Sequence, residues 1–173
     1  EQGEAYENLS NLFFRKHADR VWIYAHFGAS DFDEIMSRIR YMIIGCGCKW
    51  VIVDHLHMLV SASDESNERI LIDRIMTQLR KLAEQTGAGL ILVSHLRRLE
   101  GNKGHENGVS VNLSHLRGSG GIAHISDCVI ALERNQQSDD PIEAQTTHMR
   151  ILKSRYTGDV GVATHLLYDK DTG

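Results

Sequence analysis

Runs of apolar residues that stop abruptly at polar tips set the frame of this chain. Val51-Ile52-Val53 runs into Asp54-His55, and Leu90-Ile91-Leu92-Val93 into Ser94-His95. Neither run alternates, and an unalternating apolar strand is one buried on both faces, as in a parallel sheet covered by helices. Strands are therefore predicted at Lys49–Asp54, Leu90–Ser94 and Cys128–Leu132, with a first one at Val21–Ala25. Helical periodicity fills the intervals. Glu4–Lys16 carries Leu9, Leu12 and Phe13 on one side. A stripe of Ile35, Met36, Ile39, Met42 and Ile43 opens at a capping-box pattern, Ser30-x-x-Asp33, and stops at Gly45. Leu71, Ile75, Met76, Leu79, Leu82 and Ala83 form a second stripe closed by Gly87. A short helical turn is expected at Gly121–Ser126, a turn at Ser138-Asp139-Asp140-Pro141, and a mobile loop at Glu100–Gly108. Thr147–Lys153 and Ala163–Tyr168 read as a strand pair around Thr157-Gly158-Asp159. The order strand-helix-strand-helix-strand with a strand-rich tail is an α/β class: a mostly parallel sheet flanked by helices, with a C-terminal antiparallel extension.

Composition narrows the class without deciding it. The 173 residues are 42% hydrophobic and 24% charged, enough apolar material for one core. The longest apolar runs fall far short of the roughly 18 residues a membrane span needs, and the opening Glu1-Gln2-Gly3-Glu4 lacks the pattern of a signal peptide. Three cysteines, Cys46, Cys48 and Cys128, suit reduced thiols in a cytoplasmic setting better than a disulfide scaffold. A net charge of −4 is no argument for nucleic-acid binding by the chain as a whole, yet His95–Arg117 carries a local +2 and Thr146–Tyr156 a local +3. Positive loops on an acidic body can still follow a phosphate backbone, although solvated surface charge is the default reading of either segment alone.

Ligands in parallel α/β sheets bind outside the carboxyl ends of the strands, which makes Asp54 and His95 candidates for one crevice. A carboxylate there can hold the hydrated magnesium of a nucleotide, and an imidazole can sense its terminal phosphate. Arg117-Gly118-Ser119-Gly120 offers close backbone approach beside a bidentate phosphate donor. Lys153-Ser154-Arg155 ends an apolar strand; it suits either an arginine offered to a neighbouring subunit's nucleotide or a charged pair on an edge strand. Asp54, His55, His57 and His95 leave a different class open, a metal-dependent hydrolase. No Gly-x-x-x-x-Gly-Lys-Ser/Thr phosphate loop occurs in the chain.

In combination these segments resemble the RecA-type ATPase core of ring-shaped replicative DNA helicases, the superfamily of bacterial DnaB and mitochondrial Twinkle, and especially the primase-helicases of T-seven-like phages. Val51-Ile52-Val53-Asp54-His55 is similar to the family's Walker B strand, and Leu92-Val93-Ser94-His95-Leu96 to the strand bearing its phosphate-sensing histidine. Leu116-Arg117-Gly118-Ser119-Gly120 resembles the DNA-contacting motif, Ala131-Leu132-Glu133-Arg134-Asn135-Gln136-Gln137 a family signature, and Arg150–Asp159 the finger segment. The likeness runs from about Ile44 onward, with the motifs in order.

The resemblance implies a set of roles. Asp54 would coordinate Mg2+ with ATP or dTTP, His95 would read the γ-phosphate, and Arg155 would act in trans as a finger. Arg134 would lie near the nucleotide and Tyr168 would stack on its base. Arg97, Lys103, Arg117 and Gly118 would line a central pore and hold single-stranded DNA. Residues 1–173 would be the C-terminal part of one RecA-like domain, working as a homo-oligomeric ring, a hexamer in this family, with replication proteins. The setting would be the cytoplasm, a host's if the chain is phage-encoded, with the mitochondrial matrix as the alternative. Three departures qualify the likeness. The phosphate loop and the water-activating glutamate would fall before Glu1, leaving the chain inactive by itself and a gap beside the Asp54 and His95 strands. Ala123-His124 stands where a glutamine is usual, and Gly101 where a basic residue is. A non-catalytic module derived from the same fold, binding DNA or a partner, is the alternative reading.

Overall fold

A computed structural model describes residues 11–24, 32–60, 65–99, 104–118 and 120–169, with backbone alone at 65–67. Residues 11–17 are helical (α1), within the predicted first helix. Ala25, Ser30, Lys103 and Ser119 lie outside the described residues, and with them the predicted capping box, part of the first strand and residues 100–103 of the Glu100–Gly108 loop. The described part of that first strand, Val21–Tyr24, enters no sheet.

The helices are α2 (Phe32–Ile44), α3 (Glu65–Thr86), α4 (Gly120–Ile125) and α5 (Pro141–Gln145). The strands are β1 (Trp50–Val53), β2 (Gly89–Leu92), β3 (Cys128–Glu133), β4 (Thr146–Ser154) and β5 (Gly161–Leu167). Each predicted element from α2 onward is present, and three were missed, one of them a 3-10 turn at Leu113–His115 capped by Asn112. Leu56–Val60 forms a 3-10 helix directly after the Asp54 strand end. The turn at Asp139-Asp140 opens α5, because the Asp140 side chain accepts the Ile142 N–H at 2.9 Å and Pro141 occupies the first helical turn. None of the helices among the described residues is long and apolar enough to cross a membrane.

Two sheets form instead of one. β1 and β2 pair in parallel, Trp50 opposite Gly89 through Val53 opposite Leu92. β3, β4 and β5 form an antiparallel sheet with β4 in the middle. The parallel pair and the antiparallel extension are thus as read from the sequence, and the break between them agrees with a RecA-like motor domain that lacks its phosphate-loop strand.

The expectation of burial on both faces needs correction. Val51, Val53, Leu90 and Leu92 face a core built from Ile35, Ile39 and Ile43 of α2 and Ile72, Ile75, Met76, Leu79 and Leu82 of α3. Trp50, Ile52 and Ile91, on the other face, are exposed, as are Ile130 and Leu132 of β3. Alternating side chains point to opposite faces, and α2 and α3 cover only one. Their i, i+3, i+4 spacing yields a single stripe each, so each helix can seal one surface.

Candidate nucleotide and DNA site

Parallel pairing in register fixes which ends of β1 and β2 coincide. Val93 N–H donates to the Val53 carbonyl at 2.9 Å and Leu56 N–H to the Val93 carbonyl at 2.9 Å, so the chains stay side by side past the last ladder rung. Asp54 and His95 therefore leave the sheet at the same rim, both exposed. Asp54 makes no hydrogen bond or ion pair among the described residues. The side chain that meets His95 is its neighbour His55, with ring centroids 3.9 Å apart.

His57 lies beneath this rim, 5% exposed. Its Nε2–H donates to the Arg117 carbonyl at 3.0 Å, and its Nδ1 faces the His95 N–H at 3.4 Å. Burial is the main reason its pKa falls below the usual histidine value, against the opposing effect of the Arg117 carbonyl. A neutral ring with the proton on Nε2 satisfies both neighbours. His57 thereby ties the Asp54 loop to the segment carrying Arg117.

That segment is paired to the one after β2. Arg97 N–H donates to the His115 carbonyl at 2.9 Å, Arg117 N–H to the His95 carbonyl at 3.0 Å, and Leu96 bridges Leu116. The predicted DNA residues Arg97, Arg117 and Gly118 consequently sit directly beside the strand-end histidine. The Arg97 side chain is exposed. The Arg117 guanidinium forms a double contact with Glu68 of α3, 3.2 Å at each nitrogen, a partner that no local pattern announces. Gly118 has φ +105°, and a Cβ there would run into Ile72 Cδ1. Its role in this structure is to bring the turn close to α3.

The other predicted nucleotide residues lie at the antiparallel sheet but not together, Arg134 and Tyr168 at one end and Arg155 at the other. Arg134 lies over the Tyr168 ring at 5.9 Å and donates to the Ala144 carbonyl at 2.6 Å. Arg155 is half-exposed and held within its own chain, 3.0 Å from Asp127 Oδ1 and 3.2 Å from the His124 carbonyl. Asp127 also takes Arg80 Nη1 at 2.6 Å. Lys153 is no edge-strand charge: β4 is central, and its Nζ donates to the carbonyls of Ala123, His124 and Ser126 at 2.6, 3.1 and 2.8 Å. It closes the C-terminal end of α4, where carbonyls lack helical partners and a cation is favoured. Glu133, inside the signature segment, receives Arg150 Nε at 2.9 Å and the Val111 N–H at 2.7 Å.

The decisive observation lies in the comparison with known families. Residues 3–172 match the profile described as DnaB-like helicase C terminal domain. The chain belongs to that family. Among similar proteins, the DNA helicase/primase of Enterobacteria phage T3 is 43% identical over 155 residues, covering 90% of this chain and 27% of that protein. The probable plasmid replicative DNA helicase of Chlamydia psittaci is 26% identical over 145 residues, covering 84% of this chain and 31% of that protein. This DnaB-type domain spans less than a third of the length of either relative. Membership gives the shared rim of Asp54 and His95 a chemical context, and makes the parallel β1–β2 pair part of a helicase fold.

Proposed function

We propose that this domain is the C-terminal part of an NTP-driven replicative DNA helicase of the phage primase-helicase kind, inactive until a phosphate-loop segment completes it. The observation that carries the reading is the common rim, where an exposed carboxylate and an exposed imidazole lie side by side and the imidazole's segment pairs with a turn of Arg and Gly. Asp54 binds Mg2+ with ATP or dTTP, and His95 senses the γ-phosphate. Loss of that phosphate shifts His95, and the shift passes through the Arg117 N–H to the DNA-contacting turn. Arg97, Lys103, Arg117 and Gly118 hold single-stranded DNA by its phosphates, independent of sequence. Arg134 and Tyr168 pack the nucleotide's base. Subunits assemble as a ring, a hexamer, in which Arg155 reaches the neighbouring nucleotide, in company with other replication proteins. For that reach Arg155 must leave Asp127, and Arg80 remains to neutralise the aspartate.

The test is DNA-stimulated NTP hydrolysis by the intact protein, with the phosphate-loop segment present. Asp54→Ala and His95→Ala should each abolish stimulated turnover. Arg155→Ala subunits doped into wild type should depress activity more steeply than their mole fraction, as a residue acting in trans requires. Stimulated turnover unaffected by Asp54→Ala, or strictly proportional loss on doping, overturns the assignment.

A further inference from the structure

The rim brings together three imidazoles that the helicase reading does not need as a set. His55, His57 and His95 each offer a ring nitrogen, and these atoms lie within 4.8 Å of one another. From this geometry we propose a binding site for a borderline transition metal of the Zn2+ class, built from His55, His57 and His95.

Three features carry it. His55 Nδ1 is buried and has no hydrogen-bond partner among the described residues, and a buried polar atom left so costs about 1–3 kcal/mol. His57 Nε2–H is committed to the Arg117 carbonyl at 3.0 Å, so its Nδ1 is the acceptor nitrogen, whose lone pair takes the His95 N–H at 3.4 Å and would pass from that long hydrogen bond to the ion. A histidine whose second nitrogen donates to a backbone carbonyl is oriented as metal-ligating histidines usually are. His95 is exposed and its ring can turn. Metal–nitrogen bonds of about 2.0–2.1 Å place tetrahedral ligand atoms roughly 3.3 Å apart, so closure draws the three nitrogens, which lie within 4.8 Å of one another, together by at most about 1.5 Å. The ring centroids of His57 stand 5.5 Å from His95 and 6.2 Å from His55, wide enough to admit an ion. Imidazole nitrogens suit Zn2+, Ni2+ or Cu2+, whereas Mg2+ prefers oxygen. This is therefore distinct from the nucleotide's magnesium. Three protein ligands leave a fourth position for water.

Occupancy would hold His95 away from a γ-phosphate, giving inhibition by metal; that consequence alone rests on the helicase reading. The experiment titrates Co2+ into the metal-stripped intact protein and follows its visible d–d absorption, with Zn2+ as competitor. One equivalent should saturate the signal. His55→Gln and His57→Gln should each weaken binding by more than about tenfold. His165→Asn should leave it unchanged, although it removes a surface pair in which His148 and His165 Nδ1 atoms stand 2.7 Å apart. Because buried His57 could be needed for folding, the unmutated protein supplies a second readout: Co2+ should broaden the ring resonances of His55, His57 and His95 before those of His148 and His165. Absence of saturable absorption, or its loss only in His165→Asn, overturns the site. Tight metal binding that leaves nucleotide affinity unmoved sustains the site and refutes the γ-phosphate role of His95.

Discussion

Gly118 and Gly120 stand two residues apart in the same turn, and the structure assigns alanine at these positions opposite consequences. At Gly118, alanine meets two penalties. Its φ of +105° is a conformation that an L side chain enters at about 1–2 kcal/mol. The new Cβ also collides with Cδ1 of Ile72, itself wholly buried, and overpacking of a filled core costs about 1–3 kcal/mol. Together they predict a loss of about 2–5 kcal/mol, a large share of the roughly 5–15 kcal/mol available to a domain. At Gly120 nothing among the described residues lies within 4 Å of an added Cβ. The position opens α4, so alanine should be neutral or slightly stabilising, within about 0.5 kcal/mol. Urea unfolding of the intact protein would measure both. The two penalties separate in a double-mutant cycle, because Ile72→Val deletes the colliding Cδ1. Alone it should cost about 0.5–1.5 kcal/mol. In the Gly118→Ala background it should recover about 1–3 kcal/mol, leaving only the backbone term. Equal stabilities for Gly118→Ala and Gly120→Ala, or strict additivity of Gly118→Ala with Ile72→Val, would refute the packing argument.

Other expectations follow from the same contacts. Lys153→Met should lose about 1.5–3 kcal/mol, the worth of charge-assisted hydrogen bonds to three carbonyls, with hydrogen exchange quickening first in α4; unchanged protection there would count against the anchor. His115 has its pKa lowered by burial, then by His105 and Arg97, and its Nδ1 accepts the Asn112 N–H at 3.4 Å. A depressed folded-state pKa means that the unfolded chain takes up protons first. The contribution is therefore complete above about pH 6.5 and lost as pH falls through the folded value, uncapping the 113–115 turn. NMR of the Asn112–Leu116 amides across that range should show it, and pH-independent amides would contradict it. Arg97→Ala should weaken single-stranded DNA binding uniformly across sequences and flatten the salt dependence by about 0.7 in log–log slope. An unaltered slope in filter binding would remove Arg97 from the phosphate contacts.

What the linear pattern determined was the elements and their chemistry-bearing tips. Apolar runs of four or five residues mark β1, β2 and β3, and the stripes in α2 and α3 mark the helix faces that seal a core, but that only one face of β1 and β2 is covered was not legible in the runs. Parallel pairing then follows, since a helix separates the two runs, and it carries Asp54 and His95 to one rim without further information. Partners across the fold were not legible. Glu68 beside Arg117 is separated from it by 49 residues, and the Arg80–Asp127–Arg155 cluster joins three distant elements. Electrostatic pairing between exposed side chains leaves no periodic trace, so only the packed chain decides it. The same holds for Lys153, which reads as surface charge until α4 brings its orphan carbonyls alongside. Burial of His57, and its meeting with His55 and His95, likewise depends on how the 3-10 turn after Asp54 folds beneath the rim. Local periodicity specifies which face of an element is apolar; which polar group lies opposite is a long-range fact.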